Sequence, residues 1–100
     1  GAGCIIYPGC SINYGSKIGK FVVMNMNCAI GHDCLIQDFV SISPGVNLGG
    51  NTKIGKKSEL GIGASTLQSI EIGHESIIGG NAIVTKSFPA NSNIKGVPAK

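Results

Sequence analysis

Residues 25–48 read NMNCAI GHDCLI QDFVSI SPGVNL, four units of six that each close on an aliphatic side chain: Ile30, Ile36, Ile42 and Leu48. Working outward, the spacing continues through Met24, Ile18, Ile12 and Ile6 in one direction. In the other it runs through Ile54, Leu60, Ile72, Ile78 and Val84, with Thr66 the one exception. A period of six matches neither the 3.6 of a helix nor the 2 of a strand, so the aliphatic residue marks a larger unit that repeats. Only a solenoid is built that way. Four places after most of these aliphatics stands a small or apolar residue, among them Cys10, Ser16, Cys28, Cys34, Val40, Val46, Thr52, Ser58, Ala64 and Ala82. Both sets are predicted to face inward. Three short β-segments per coil then close a triangular prism, and the chain returns above itself at a strand spacing of about 4.8 Å. The expected fold is an all-β solenoid of four to five coils over residues 1–84, with residues 85–100 as a C-terminal cap and tail. Phe88 and Pro89 are expected to plug the prism and stop strand pairing.

One hundred residues make one small domain. So short a stack leaves strand edges open, and oligomerisation is the expected remedy. The chain starts at Gly1 without a Met, from which an upstream domain is expected. Net charge is +3, and the lysines are spread rather than run together, which argues against a nucleic-acid surface and is compatible with a small phosphorylated ligand. Neither a secretory leader nor a membrane-length apolar run is visible, so a soluble cytoplasmic protein without membrane insertion is expected. The four cysteines, Cys4, Cys10, Cys28 and Cys34, all fall on the inward small position. They read as compact core residues, not as a disulfide or zinc framework, and a serine at Cys10 or Cys28 is expected to lower stability by burying a hydroxyl unless it finds a partner.

Residues 18 apart stack, so the polar side chains can be read as columns. Tyr14, His32, Gly50 and Gln68 share one, at an outward bend. The imidazole of His32 therefore neighbours the bare backbone of Gly50, with Gly49 beside it. Histidine is the side chain best suited to accept a proton near neutral pH, and the adjacent Asp33 can orient the ring or stabilise its charged form. A solvated surface histidine beside a turn glycine stays open as the other reading. His74, in a column with Lys20, Asp38 and Lys56, reads as solvated surface. A third column, Pro8, Met26, Pro44, Ile62 and Gly80, is an apolar strip. With Lys86 placed beyond it to meet phosphate, it suits a long thin ligand or a subunit contact.

The runs Ala29-Ile30-Gly31-His32-Asp33-Cys34 and Val40-Ser41-Ile42-Ser43-Pro44-Gly45, the turn Gly79-Gly80-Asn81-Ala82 and the tail Gly96-Val97-Pro98-Ala99-Lys100 resemble those of the left-handed β-helix, hexapeptide-repeat acyltransferases. Within them the chain looks most like the branch holding sialic acid O-acetyltransferases and UDP-amino-sugar N-acetyltransferases. The resemblance implies a left-handed parallel β-helix, a homotrimer with active sites between subunits, and acetyl-CoA as donor with no metal. The acceptor it implies is a sugar or nucleotide-sugar hydroxyl or amine, as in surface or capsular polysaccharide biosynthesis. It implies His32 as general base supported by Asp33, the Gly50 N–H as oxyanion donor, and Ile62 and Gly80 as acetyl-CoA contacts. It also implies Asn25 near the acceptor and an N-terminal acceptor-binding domain outside this chain. Ser41 stands where the amino-sugar enzymes tend to carry a second histidine, which tilts the expectation toward O-acetylation.

Other functions on such a solenoid fit less well. A γ-type carbonic anhydrase needs three histidine ligands for zinc, and the chain has two. An ice-binding face needs a regular outward array, typically threonine, whereas Thr52 is predicted to point inward. A catalytically silent trimerising β-helix is the non-enzymatic alternative.

Overall fold

The computed structural model describes residues 1–100 as a stack of two-residue strands without a helix. Three parallel sheets form the faces of a prism. Sheet A pairs Ile5–Ile6, Val23–Met24, Ser41–Ile42, Glu59–Leu60, Ile77–Ile78 and Asn93–Ile94. Sheet B stacks Ser11–Ile12, Ala29–Ile30, Asn47–Leu48, Ser65–Thr66 and Ile83–Val84. Sheet C stacks Lys17–Ile18, Leu35–Ile36, Lys53–Ile54 and Glu71–Ile72. Through Val84 each residue pairs with the one 18 further on, as in Met24 with Ile42 and Ile42 with Leu60. The result is a solenoid of about 5 turns that matches a left-handed β-helix.

The core follows the hexad. Met24, Ile30, Ile36, Ile42, Ile54, Leu60, Ile72, Ile78 and Val84 are buried, and Val22, Cys28, Cys34, Val40, Val46, Ala64 and Ala82 fill the spaces between them. In the first coil the same positions lie at an open end, so Ile6 and Ile12 are exposed. Each strand through Ile77–Ile78 yields to a three-residue corner whose last residue has positive φ. Glycine holds that place at Gly9, Gly15, Gly45 and Gly63, and asparagine or aspartate at Asn27, Asp33, Asn51 and Asn81, the residues that tolerate it best. Phe21 and Phe39 hold it too, at φ 54° and 61°, and their rings stack 5.5 Å apart.

One expectation is corrected. Pairing does not stop at Phe88 and Pro89: Phe88 bridges Ile72, and Asn93–Ile94 pairs with Ile77–Ile78. Here the coil closes two residues early, which is why the hexad disappears after Val84 although Ile94 is fully buried. Beyond it the Ala99 N–H donates to the Ile83 carbonyl.

The cysteines do more than fill space. Their thiols donate to corner carbonyls one coil on: Cys4 to Gly19, Cys10 to Asn25, Cys28 to Ser43 and Cys34 to Gly49, at 3.0–3.3 Å. Ser16 and Ser58 make the same bond to Gly31 and Gly73. Burial pushes the Cys28 thiol up, which keeps it protonated and able to donate. A serine at 28 therefore inherits an acceptor. Cys28→Ser should change stability by less than about 1 kcal/mol, whereas Cys28→Ala, which strips the Ser43 carbonyl of that donor, should cost about 1–3 kcal/mol. Urea unfolding of both variants checks this, and a serine variant as unstable as the alanine would contradict it.

Candidate functional site

His32 is the middle residue of the corner joining sheets B and C. Its ring lies between two neighbours in its column. On one side the Tyr14 ring stacks on it, with centroids 5.6 Å apart and planes 13° apart. On the other, Gly50 comes so close that a Cβ there would collide with His32 Nε2 and sit 2.8 Å from Cδ2. The remaining nitrogen is held from the side, with Nδ1 3.1 Å from Asp33 Oδ2. Asp33 reaches that position because its positive φ turns its side chain back along the corner, where Gly15 leaves room for its other oxygen. With Asp33 accepting from Nδ1–H, the lone pair resides on Nε2, beside Gly50.

The Gly50 N–H has no acceptor within the chain, whereas its neighbours do: Gly49 N–H bonds Thr66 and Asn51 N–H bonds the His32 carbonyl. An imidazole lone pair and a free backbone donor thus adjoin at one outward, half-buried spot. Such a spot can take a proton from one atom and stabilise negative charge on another. His74 forms a similar pair with Glu75 at 3.4 Å, but the glycine beneath it, Gly55, abuts its backbone and not its ring.

The other residues singled out in the sequence do not all gather here. Lys86 lies between Ile83–Val84 of sheet B and Phe88, which bridges Ile72 of sheet C, so it is at the corner between sheets B and C, and its Nζ lies 5.5 Å from the Phe88 ring centroid. Asn25, Ile62 and Gly80 occupy the corner between sheets A and B, across sheet B from His32. Ser41 is exposed on sheet A. Tyr14 is the residue that sequence reasoning left without a role, although its column already set it over His32. No surface depression of the single chain is lined by His32 or Gly50; one reaches Asp33, with Asn51, Lys53 and Glu71.

These features define a parallel β-helix with an outward histidine–carboxylate pair beside a bare backbone donor. Serine acetyltransferase of Staphylococcus aureus (strain N315) is 37% identical over 92% of this chain and 48% of its own length. Among solved structures, a histidine-to-asparagine variant of perosamine N-acetyltransferase from Caulobacter crescentus, in complex with CoA and GDP-perosamine, superposes with a TM-score of 0.91. It is 25% identical, over 98% of this chain and 52% of that one. The acetyltransferase domain of PglB from Neisseria gonorrhoeae, in complex with acetyl coenzyme A, gives 0.80 at 34% identity, over 98% and 51%. No family model matches. The β-helix is similar to those of these acetyltransferases, and the chain spans about half the length of the relatives it matches.

The two glycines of this turn should respond differently to a methyl group. A Cβ on Gly49 would meet the backbone of Leu67 and Gln68 at 2.6 Å, where nothing can yield, whereas one on Gly50 meets only an exposed ring. Gly49→Ala should lower the unfolding midpoint clearly. Gly50→Ala should stay within about 1 kcal/mol of wild type while moving the His32 ring resonances. Equal stability losses, or an unmoved His32 signal in Gly50→Ala, would show that the turn is packed differently.

Proposed function

We propose that the protein transfers an acetyl group from acetyl-CoA to a hydroxyl or amine of a sugar or nucleotide-sugar acceptor, with His32 as general base. The observation that carries this reading is the seating of His32: Nδ1 on Asp33, Nε2 against Gly50. Nε2 removes the acceptor proton as its oxygen or nitrogen attacks the thioester carbonyl, and the Gly50 N–H stabilises the oxyanion. When the carbon–sulfur bond breaks, the imidazolium returns the proton to the departing CoA thiolate. Asp33 stabilises the imidazolium between these events. The solved neighbours supply the substrate classes: one holds CoA with GDP-perosamine, another acetyl coenzyme A.

The wide separation of the two corners supports a site completed by another copy, in which the A–B corner of one subunit, with Asn25, Ile62 and Gly80, faces the His32 corner of the next. Exposed apolar side chains on corners and faces, including Phe21, Phe39, Ile62, Leu67 and Ile77, support a homotrimer. Serine is the second acceptor to consider, because serine acetyltransferase of Staphylococcus aureus is 37% identical to the chain. In the structure, no helix is long and apolar enough to cross a membrane. A cytoplasmic setting, where acetyl-CoA is made, accords with the reading.

His32→Ala should leave fold and assembly intact, since the side chain packs on the outside, and should reduce acetyl transfer by about 10²–10⁴-fold. The assay measures CoA release with L-serine, sialic acid and nucleotide-linked amino sugars as acceptors. Wild-type turnover in His32→Ala would eliminate the mechanism. Sedimentation should give a trimer, and a monomer at micromolar concentration with acetyl-CoA present would eliminate the intersubunit site.

A further inference from the structure

Thr66 is the one member of the aliphatic register that is not aliphatic, and its hydroxyl lies in the core directly behind the turn that faces His32. Its Oγ1 accepts from the Gly49 N–H at 3.2 Å, a donor it shares with the Thr66 carbonyl. The same oxygen lies 3.2 Å from Oγ1 of Thr52, which is fully buried, and Thr52 Oγ1 lies 2.7 Å from the Gly49 carbonyl. Each hydroxyl has one proton to give. The donors and acceptors are all used if Gly49 N–H donates to Thr66, Thr66 O–H donates to Thr52, and Thr52 O–H donates to the Gly49 carbonyl. That is a closed ring beginning and ending on one residue, and its members polarise one another. The Cys34 thiol adds a second donor to that carbonyl at 3.3 Å. Elsewhere in the stack the carbonyls of Gly19, Gly31 and Gly73 each receive a single core side chain and that of Pro89 receives Ser76 and Ser92, but no other N–H within a three-residue corner is bonded to a core hydroxyl.

The Gly49 carbonyl and the Gly50 N–H belong to the same peptide group. In a trans peptide they point in opposite directions. A carbonyl anchored inward by two donors therefore turns the Gly50 N–H outward, toward the side where His32 Nε2 lies. We propose that the Thr52–Thr66 hydroxyl pair is a positioning device that aims the Gly50 N–H at the reacting carbonyl, an inference that rests on the acetyl-transfer reading above. Stability alone does not call for a hydroxyl here. Valine at 66 would rejoin the register and Gly49 N–H would keep the carbonyl of residue 66, while the Thr52 hydroxyl, no longer held by the Thr66 donor, would be free to turn its proton from the Gly49 carbonyl to the Leu67 carbonyl 3.3 Å away, leaving the Gly49 carbonyl only the weaker Cys34 thiol. No buried group would be orphaned.

Thr66→Val is the test, in the full-length protein with the acceptor that wild type uses best. The unfolding midpoint should not fall, KM for acetyl-CoA should stay within about twofold, and kcat should drop about 10-fold or more, a part of what removing an oxyanion donor costs. Thr66→Ser should restore kcat. A crystal structure of Thr66→Val should show the Gly49–Gly50 peptide turned away from His32. Wild-type kcat in Thr66→Val, or a peptide that has not moved, overturns the proposal, as does a serine variant no better than the valine. If the wild type transfers acetyl to no acceptor, the functional reading falls, and the orientation of that peptide in Thr66→Val still decides the positioning claim by itself.

Discussion

The structure depends on one constraint, the return of the chain to the same place after 18 residues with its backbone hydrogen-bonded to the coil before. Strands of two residues are too short to be stable in isolation; they persist because every one but the terminal strands is paired on both sides in parallel register. The corners must stack as closely as the strands, which leaves no room for side chains at several first corner positions, so Gly31, Gly49 and Gly61 sit against the backbone of the next coil. Packing therefore sets which residue types each step of the repeat allows. Chemistry is left mainly to the second residue of each corner, where the side chain points outward and the backbone N–H is largely unclaimed.

That division explains how much could be read from the chain alone. The hexad identified the fold because an inward aliphatic at every sixth place has no other explanation. Simple addition of 18 put Gly50 next to His32, and Asp33 followed from its adjacency. Lys86 comes two residues after Val84, where the register ends, so its position at the corner between sheets B and C rests on the bridge of Phe88 to Ile72 and not on addition. What stayed hidden had no periodic signal. The shortened last coil leaves no register to follow, so the pairing of Asn93–Ile94 with sheet A was invisible. The stacking of Tyr14 on His32 depends on side-chain torsions that spacing does not determine.

The inward polar residues show a different limit. Judged by volume, Cys28, Cys34, Ser58 and Thr52 are interchangeable fillers of one kind of space. Judged by hydrogen bonding, they are donors for corner carbonyls that the parallel ladder leaves unpaired, and no buried side-chain nitrogen or oxygen lacks a partner. A sequence pattern built on hydrophobicity alone does not register the difference. It appears only as an irregularity, such as a threonine where isoleucine is expected.

The histidine column draws on three successive coils, one residue from each, with Tyr14, His32 and Gly50 in direct sequence along the axis. In a stack where every coil touches only the ones before and after it, a change is felt one layer away and little further. The corner between sheets A and B belongs to the same layers but is separated from His32 by the full width of a sheet. Mutations there can reshape what binds without disturbing the proton-accepting ring. The prism thus works as a modular rack, in which recognition and reactivity can vary along different edges of one invariant frame.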